Sequence, residues 1–492
     1  MQARHVSPKT LAEHCIENIA QNMDKLWTAD FQEKYKNQKV LYVIGPFSDL
    51  DCLSLSNIIT VLKGGSLLRK IHLQVLVTRN LSDLDLSDAA HCATNSSIVT
   101  VTERCERLKR INLSGANRIS SHNLVRLIQT FGQSLESLIL DSTKMNDSVA
   151  FIIGSSCTKL YFLSMCNCKA VTDDGFTSIF KDVFADSLRA VAKTLKVLHF
   201  VCTPGINKPE VLIKKLLLSW SPQLCCVNHG SFWESAMDVC LQTRYSHVFH
   251  IVGIQYQLPV WLDDFRGRVD FGKLFGCFPV FKNLTVALSN SLLGMELVNI
   301  LKTCGNNLST LTLDWTLPYS YILYIGKFCP NICKFQLDVS NSCVLSDPDN
   351  VVKSAFERYQ NKHIVSSWKK LESFHLFFNN DQVLDSAVPV LKEVFRDSCN
   401  SLKQLVLCDF KHPYINEMML FCLQSGYFMT LESLDLQSNY FLEPETIWEF
   451  VVTENNVGFI NLSNCIYIAY ADFQRMSEYI QAHKLNLKIE YI

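Results

Sequence analysis

The chain has no surplus of charge to offer a polyanion: 46 lysines and arginines stand against 47 acidic residues, a formal charge of −1 over 492 residues. Proteins that hold nucleic acid or an anionic membrane carry a basic footprint, so neither is expected as a partner. No run approaches the ~18 consecutive apolar residues that a transmembrane helix needs. The opening stretch, MQARHVSPKTLAEHCIENIAQNMDKLWTAD, interrupts every apolar patch with charge or amide, unlike a secretory signal or a transit peptide. A cytoplasmic protein is expected, with the nucleus as a second location.

Signatures of chemistry are missing too. There is no Gly-rich phosphate loop, no H-E-x-x-H, no G-x-S-x-G and no kinase set. Catalytic residues and cofactors are therefore not assigned, and a non-enzyme is expected. Twenty cysteines are spread over a long chain without an export signal, which reads as reduced thiols. The crowd formed by Cys225, Cys226, His229, Cys240, His247 and His250 lacks zinc-finger spacing, so these are read as core or loop residues and no metal ligand is assigned.

What is present is a pattern, apolar-x-x-apolar-x-apolar, recurring after residue 80. Copies start at Leu81, Leu108, Leu135, Leu160, Leu195, Leu224, Phe249, Phe281, Leu308, Ile332, Leu371, Leu402, Leu431 and Val457, fourteen candidates spaced 24 to 39 residues apart. The copy at Leu224 is degraded and runs only to Val227. Each hexamer predicts a short strand whose first, fourth and sixth residues point inward, followed by a returning helix. After Leu108, for instance, Leu124, Leu127 and Ile128 keep helical spacing and Ser120 or Ser121 is placed to cap. The chain ends with Leu485-Asn486-Leu487-Lys488-Ile489, an alternating strand.

Several cysteines keep phase with the pattern: Cys105, Cys157, Cys329 and Cys399 lie three residues before a start, Cys304 four before, and Cys166 and Cys408 six after one. This phase-locking resembles the cysteine-containing class of leucine-rich repeats, known mostly from substrate-binding subunits of ubiquitin ligases. The resemblance implies an α/β leucine-rich-repeat solenoid over 66–492, a horseshoe with a parallel sheet on the concave side and helices on the convex side. Its expected role is to bind a protein substrate. Residues alternating with the inward positions would face that substrate, among them Asp141, His199, Asp314, Asp338, His375, Phe377 and Asp435. The four aspartates give a mildly acidic lining. The aromatic-rich stretch 228–280 and the enlarged connection 339–370 are further irregular segments, the first read chiefly as a local core.

Residues 1–65 lack the repeat and form a separate N-terminal helical adaptor segment. Thr10-Leu11-Ala12-Glu13 is a capping-box pattern. From it run two apolar stripes, Leu11, Cys15, Ile19 and Leu26 on one, Ile16, Ala20, Met23 and Trp27 on the other. Residues 10–19 resemble the elongin-binding helix, or BC box, of von Hippel–Lindau-box substrate receptors of the Zyg and Zer type. The resemblance implies that Leu11 enters a pocket of elongin C, with Cys15 and Ile19 packing beside it and Thr10 as cap. Those receptors also carry a proline-containing element that selects the cullin. Its nearest counterpart here is Val43-Ile44-Gly45-Pro46-Phe47-Ser48-Asp49-Leu50, with Pro46 and Leu50 as candidate contacts and Gly45 where an apolar residue is expected.

Three readings of this segment stay open: an elongin B/C adaptor for a cullin-RING ligase, a plain cap on the repeats, or a diverged F-box that resembles its family only in the aliphatic helix, through Leu53, Leu55, Ile58, Ile59 and Leu62. No RING and no catalytic cysteine pattern for ubiquitin transfer is present, so the ligase role would be that of an adaptor. A ligase-independent scaffold or inhibitor would need only the repeats.

Overall fold

A short strand with three inward side chains buries too little to stand alone, so the recurring hexamer is stable only where neighbouring copies pair in phase. The computed structural model shows that pairing. It describes residues 10–29, 46–182, 184–252, 260–261, 270–287, 294–314, 320–339, 368–378, 387–410 and 412–491. The chain divides into two compact units, Pro8–Ile251 and Val252–Ile492, each a mixed α/β stack with a parallel sheet.

In the first unit six strands pair in chain order: β1 (Asp83–Asp85), β2 (Arg110–Asn112), β3 (Ser137–Ile139), β4 (Phe162–Ser164), β5 (Val197–His199) and β6 (Cys226–Asn228). The second unit carries nine: β7 (Val260–Trp261), β8 (Asn283–Ala287), β9 (Thr310–Asp314), β10 (Lys334–Val339), β11 (Ser373–Phe378), β12 (Gln404–Cys408), β13 (Ser433–Asp435), β14 (Phe459–Asn461) and β15 (Lys488–Glu490). The register aligns the fourth residue of thirteen hexamers, Leu84 with Ile111, Leu138, Leu163, Leu198 and Val227, and Leu284 with Leu311, Phe335, Phe374, Leu405, Leu434 and Ile460. Helices fill the returns, as Ser121–Phe131 does behind a Ser120 hydroxyl that accepts from the Asn123 amide. The 35-residue spacing from Leu160 to Leu195 holds a small hairpin, Lys181–Asp182 against Ser187–Leu188, inserted between two helices. Among the described residues no helix is long and apolar enough to cross a membrane.

The copy at Phe249 is the exception. Phe249 and Ile251 are buried while Val252 is only partly so; no strand is assigned to residues 249–252, and Gly253 and Ile254 lie outside the described residues. The strand that pairs with β8 lies later, Val260 opposite Val286. The Val252 carbonyl nevertheless accepts from the Lys282 amide at 2.5 Å, the kind of bond that joins Ser309 to Lys282 in the next pair of copies. At the other end, the expected terminal strand forms as β15, with Ile489 opposite Ile460.

Two further positions recur that the hexamer does not include. The eighth residue of a copy turns the chain out of the strand with a positive φ, at Asp88, Gly115, Ser142, Asn167, Cys202, Asp409, Ser438 and Asn464. Only Gly115 does so without a side-chain penalty; asparagine and aspartate tolerate the left-handed region through local hydrogen bonding. The ninth residue is buried and often donates to the carbonyl of the sixth residue of the preceding copy. Cys168 Sγ reaches the Leu140 carbonyl at 3.1 Å, Thr203 Oγ1 the Met165 carbonyl at 3.2 Å, Asn439 Nδ2 the Leu407 carbonyl at 2.7 Å and Cys465 Sγ the Leu436 carbonyl at 3.0 Å. These donors satisfy carbonyls that the short strands leave unpaired inside the stack.

Asn439 is the most committed of them, since it also donates to Leu436 at 2.6 Å and accepts from the Phe410 amide at 2.7 Å. Replacing it with alanine strands the Leu407 carbonyl and the Phe410 amide, while Leu436 keeps its bond from Cys465, a loss of about 2 kcal/mol at the usual cost of unmade hydrogen bonds. Urea unfolding should show a clear fall in midpoint for Asn439→Ala and a smaller one for Asn439→Cys, which restores the donor that Cys168 and Cys465 supply. An Asn439→Ala midpoint equal to wild type would mean that the ninth-position bonds hold nothing together.

Candidate partner-binding surfaces

The N-terminal helix α1 (Leu11–Met23) begins in the capping box expected of it. Thr10 Oγ1 accepts from the Glu13 amide at 3.2 Å, and the Glu13 carboxylate accepts from the Thr10 amide at 2.7 Å. Two more helices follow, α2 (Cys52–Gly64) and α3 (Lys70–Leu76). Helix α2 covers the first layer of the stack: Leu55, Ile58, Ile59 and Leu62 are buried, Ser56 Oγ donates to the Asp83 carbonyl at 3.2 Å, and Lys63 pairs with Asp85 at 2.6 Å. Four of the five aliphatic residues that suggest an F-box thus serve as core, and only Leu53 is exposed.

Helix α1 lies on α2 through the stripe containing Ala20 and Met23, both buried. Its end is tied to the stack. Asp24 sits in the π-helical turn Asp24–Thr28, receives Arg69 and Thr28, and meets His72 Nε2 at 2.8 Å. Burial pulls the Asp24 carboxyl upward, but the hydrogen bonds from His72, Arg69 and Thr28 outweigh it and hold the carboxyl below its ordinary range. Trp27 meets Phe47 edge to face at 5.4 Å. The other stripe is left outside: Leu11 is 80 % exposed, Cys15 and Leu26 are exposed, and Ile19 is half-buried. Pro46 opens a single 3-10 turn, Pro46–Asp49, and Leu50 is half-buried with its carbonyl held by Asn80 at 3.1 Å.

The strand-face residues lie in two sets. In the first unit Asp141 accepts from the Ser164 hydroxyl at 2.6 Å and the Cys166 amide at 2.7 Å, and burial nonetheless raises its carboxyl above the usual range. His199 is 2 % exposed, edge-on to Phe162 at 5.0 Å. In the second unit Asp314, Asp338 and Phe377 are register partners on β9, β10 and β11. Desolvation, then the charge of Asp314, raises the Asp338 carboxyl. His375 lies 6.4 Å from Phe377 and shares a hydrogen bond of 2.9 Å with Ser373, and burial lowers its pKa. Asp435 holds its own turn by accepting from the Gln437 amide at 3.2 Å. In the irregular stretch Phe232, Trp233, Phe271 and Phe275 are buried; Tyr256, Phe265 and residues 340–367 of the enlarged connection lie outside the described residues. Among the described residues no three histidines, cysteines or carboxylates converge as a metal site would require.

One surface falls outside the hexamer, and the repeat pattern alone does not point to it. At the tenth and eleventh positions of the copies starting at Leu431 and Val457, Tyr440, Phe441, Ile466 and Tyr467 are exposed, and Tyr470 follows them. The sequence does carry the signal: the same places in earlier copies hold Asn117-Arg118 and Lys169-Ala170.

Desolvation holds the buried His199 imidazole neutral, its pKa brought down to about 4. The unfolded chain takes up that proton near pH 6.5, so this contribution to stability is complete above pH 6.5 and is lost as pH falls toward 4. From pH 7 to pH 5 it is worth about 2 kcal/mol. Urea unfolding should show His199→Gln losing less stability over that interval than wild type by roughly this amount; parallel losses would contradict a buried neutral imidazole.

No family model matches the sequence. Among solved structures the chain is similar to one in the yeast Rad7 and Elc1 complex, at 15 % identity over 96 % of this chain and 91 % of that one, with a TM-score of 0.39.

Proposed function

We propose that this protein is a leucine-rich-repeat substrate receptor of a cullin-RING ubiquitin ligase, non-catalytic, docking elongin B/C through α1 and a protein substrate through its repeats. One observation carries the reading: the outer stripe of α1 is apolar, ordered and unused. Capping the first layer of the stack is done by α2, so a cap does not account for Leu11 and Cys15 standing in solvent on a helix already fixed by its own capping box and by Asp24. A preformed helix with an aliphatic anchor loses little conformational entropy on docking.

The recurring inward triplet, the left-handed eighth residue and the buried Asn, Cys or Thr at the ninth position support the leucine-rich-repeat assignment, whose consensus places Asn or Cys there. On this reading residues 1–65 select the ligase and the repeats select the substrate, with Pro46 and Leu50 proposed for the cullin. The protein would work in the cytoplasm, the nucleus or both.

Calorimetric titration with purified elongin B/C tests the reading. Wild type should bind at micromolar concentration or tighter, and Leu11→Ala should weaken binding by about 2 kcal/mol, roughly thirtyfold. Cys15→Asp, which buries a charge in the same contact, should weaken it at least as much. No binding by wild type at micromolar concentration overturns the proposal.

A further inference from the structure

We propose that the rim formed by the last copies of the second unit binds an extended polypeptide segment carrying spaced arginine or lysine residues. The observation behind it is an aromatic shelf of two ring clusters, Phe441 with Tyr467 and Tyr470 with Phe473 and Tyr491. Ile466 is 68 % exposed, Tyr467 60 % and Tyr470 61 %, beside the more shielded Tyr440 and Phe441. Single exposed apolar side chains are ordinary on a protein surface, but a connected group of them marks a contact site.

These rings are held in place by one another. Phe441 stacks on Tyr467 at 6.0 Å, Phe473 on Tyr491 at 5.2 Å, and Tyr470 lies 6.4 Å from Tyr491, whose hydroxyl donates to the Ile468 carbonyl at 2.9 Å. Rigid tyrosines give contact area at little cost in rotamer freedom, which is why they dominate binding hot spots.

Charge identifies the occupant. The stretches 409–417, 437–445 and 464–473 that build the rim contain Asp409, Glu417, Glu443, Glu445 and Asp472 against one lysine, Lys411. Over 431–491 there are nine carboxylates and three lysines or arginines, in a chain whose overall charge is −1. Next to the shelf, helices Pro444–Val452 and Tyr470–Ala482 enclose a cavity of about 210 Å³ lined by Glu445, Trp448, Glu449, Asp472 and Arg475. Three carboxylates line it together with the Trp448 indole, which packs on Tyr479 at 5.3 Å and has the Arg475 guanidinium 5.9 Å from its centre. A foreign cation would find more carboxylates there than Arg475 neutralises. An apolar or acidic segment would leave those carboxylates unpaired, and nucleic acid or anionic lipid would be repelled by them. This surface lies in the second unit and owes nothing to the elongin reading; each can fail alone.

Fluorescence anisotropy on the full chain, without elongins, tests it. The probe is a labelled twelve-residue peptide of alternating arginine and serine, compared with the same peptide carrying glutamine for arginine. The arginine peptide should bind ~tenfold more tightly or better, with affinity falling as salt rises. Tyr467→Ala combined with Tyr470→Ala should cost ~tenfold. Glu445→Gln combined with Asp472→Asn should weaken binding severalfold and flatten its salt dependence. The side-chain carbonyl introduced by Asp472→Asn can still accept from the Ala469 amide, which the carboxylate now caps at 3.2 Å. All four positions lie at the surface, and each variant is used only if its melting profile matches wild type. Equal binding of the glutamine peptide, or full binding by the tyrosine variant, overturns the proposal. So does sedimentation showing a wild-type dimer that the tyrosine variant abolishes, which would assign the shelf to a second copy of the chain.

Discussion

Everything in this protein depends on one constraint: a short strand can bury its inward side chains only against the copies on either side of it. The first, fourth and sixth residues of the copies from Leu81 to Leu195 and from Phe281 to Val457 are at most 2 % exposed. That is reached by parallel pairing in a single register. From this constraint follow the helical returns, the left-handed eighth residue that turns the chain off the sheet, and the buried ninth-position donors. It also explains why a stack needs a different first layer, here supplied by α2, whose Leu55, Ile58, Ile59 and Leu62 meet no earlier strand among the described residues.

The N-terminal helix is best understood against that closure. An amphipathic helix with two apolar stripes is over-provided for a single packing contact. Helix α1 uses the stripe of Ala20 and Met23 on α2 and fastens its end with Asp24, leaving Leu11 and Cys15 outside. The rim of the second unit shows the same logic at another scale: where apolar residues are not needed by the stack and are held rigidly by one another, they are available to a partner.

Much of the fold was legible in the sequence because the inward triplet repeats with little variation. In thirteen copies the strand begins two residues after the start, and even the degraded copy at Leu224 yields β6. Of the copy at Phe249 only the first four residues are described; Phe249 and Ile251 are buried, and the strand paired with β8 is at Val260. The eighth and ninth positions were invisible for a different reason: their geometry is constant, but Asp, Gly, Ser, Asn and Cys all serve at the eighth, and Ala, Thr, Cys, Asn and Phe at the ninth. The capping box of α1 could be read directly, whereas the choice between its two stripes could not, since both are apolar and α2 decides. The substrate-face residues were chosen by alternation alone, which does not distinguish a side chain open to solvent from His199, covered by its neighbours, or from Asp435, engaged in its own turn.

On the proposed function, the outer stripe of α1 is a docking face ready before its partner arrives. Hydrogen–deuterium exchange on the full chain, with and without elongin B/C, tests this most directly. Helix α1 should already be protected in the free protein, and elongin should add protection confined to peptides covering residues 11–19. An α1 that exchanges as an unfolded segment in the free chain, or elongin-induced protection located in the repeats instead of that helix, would contradict it.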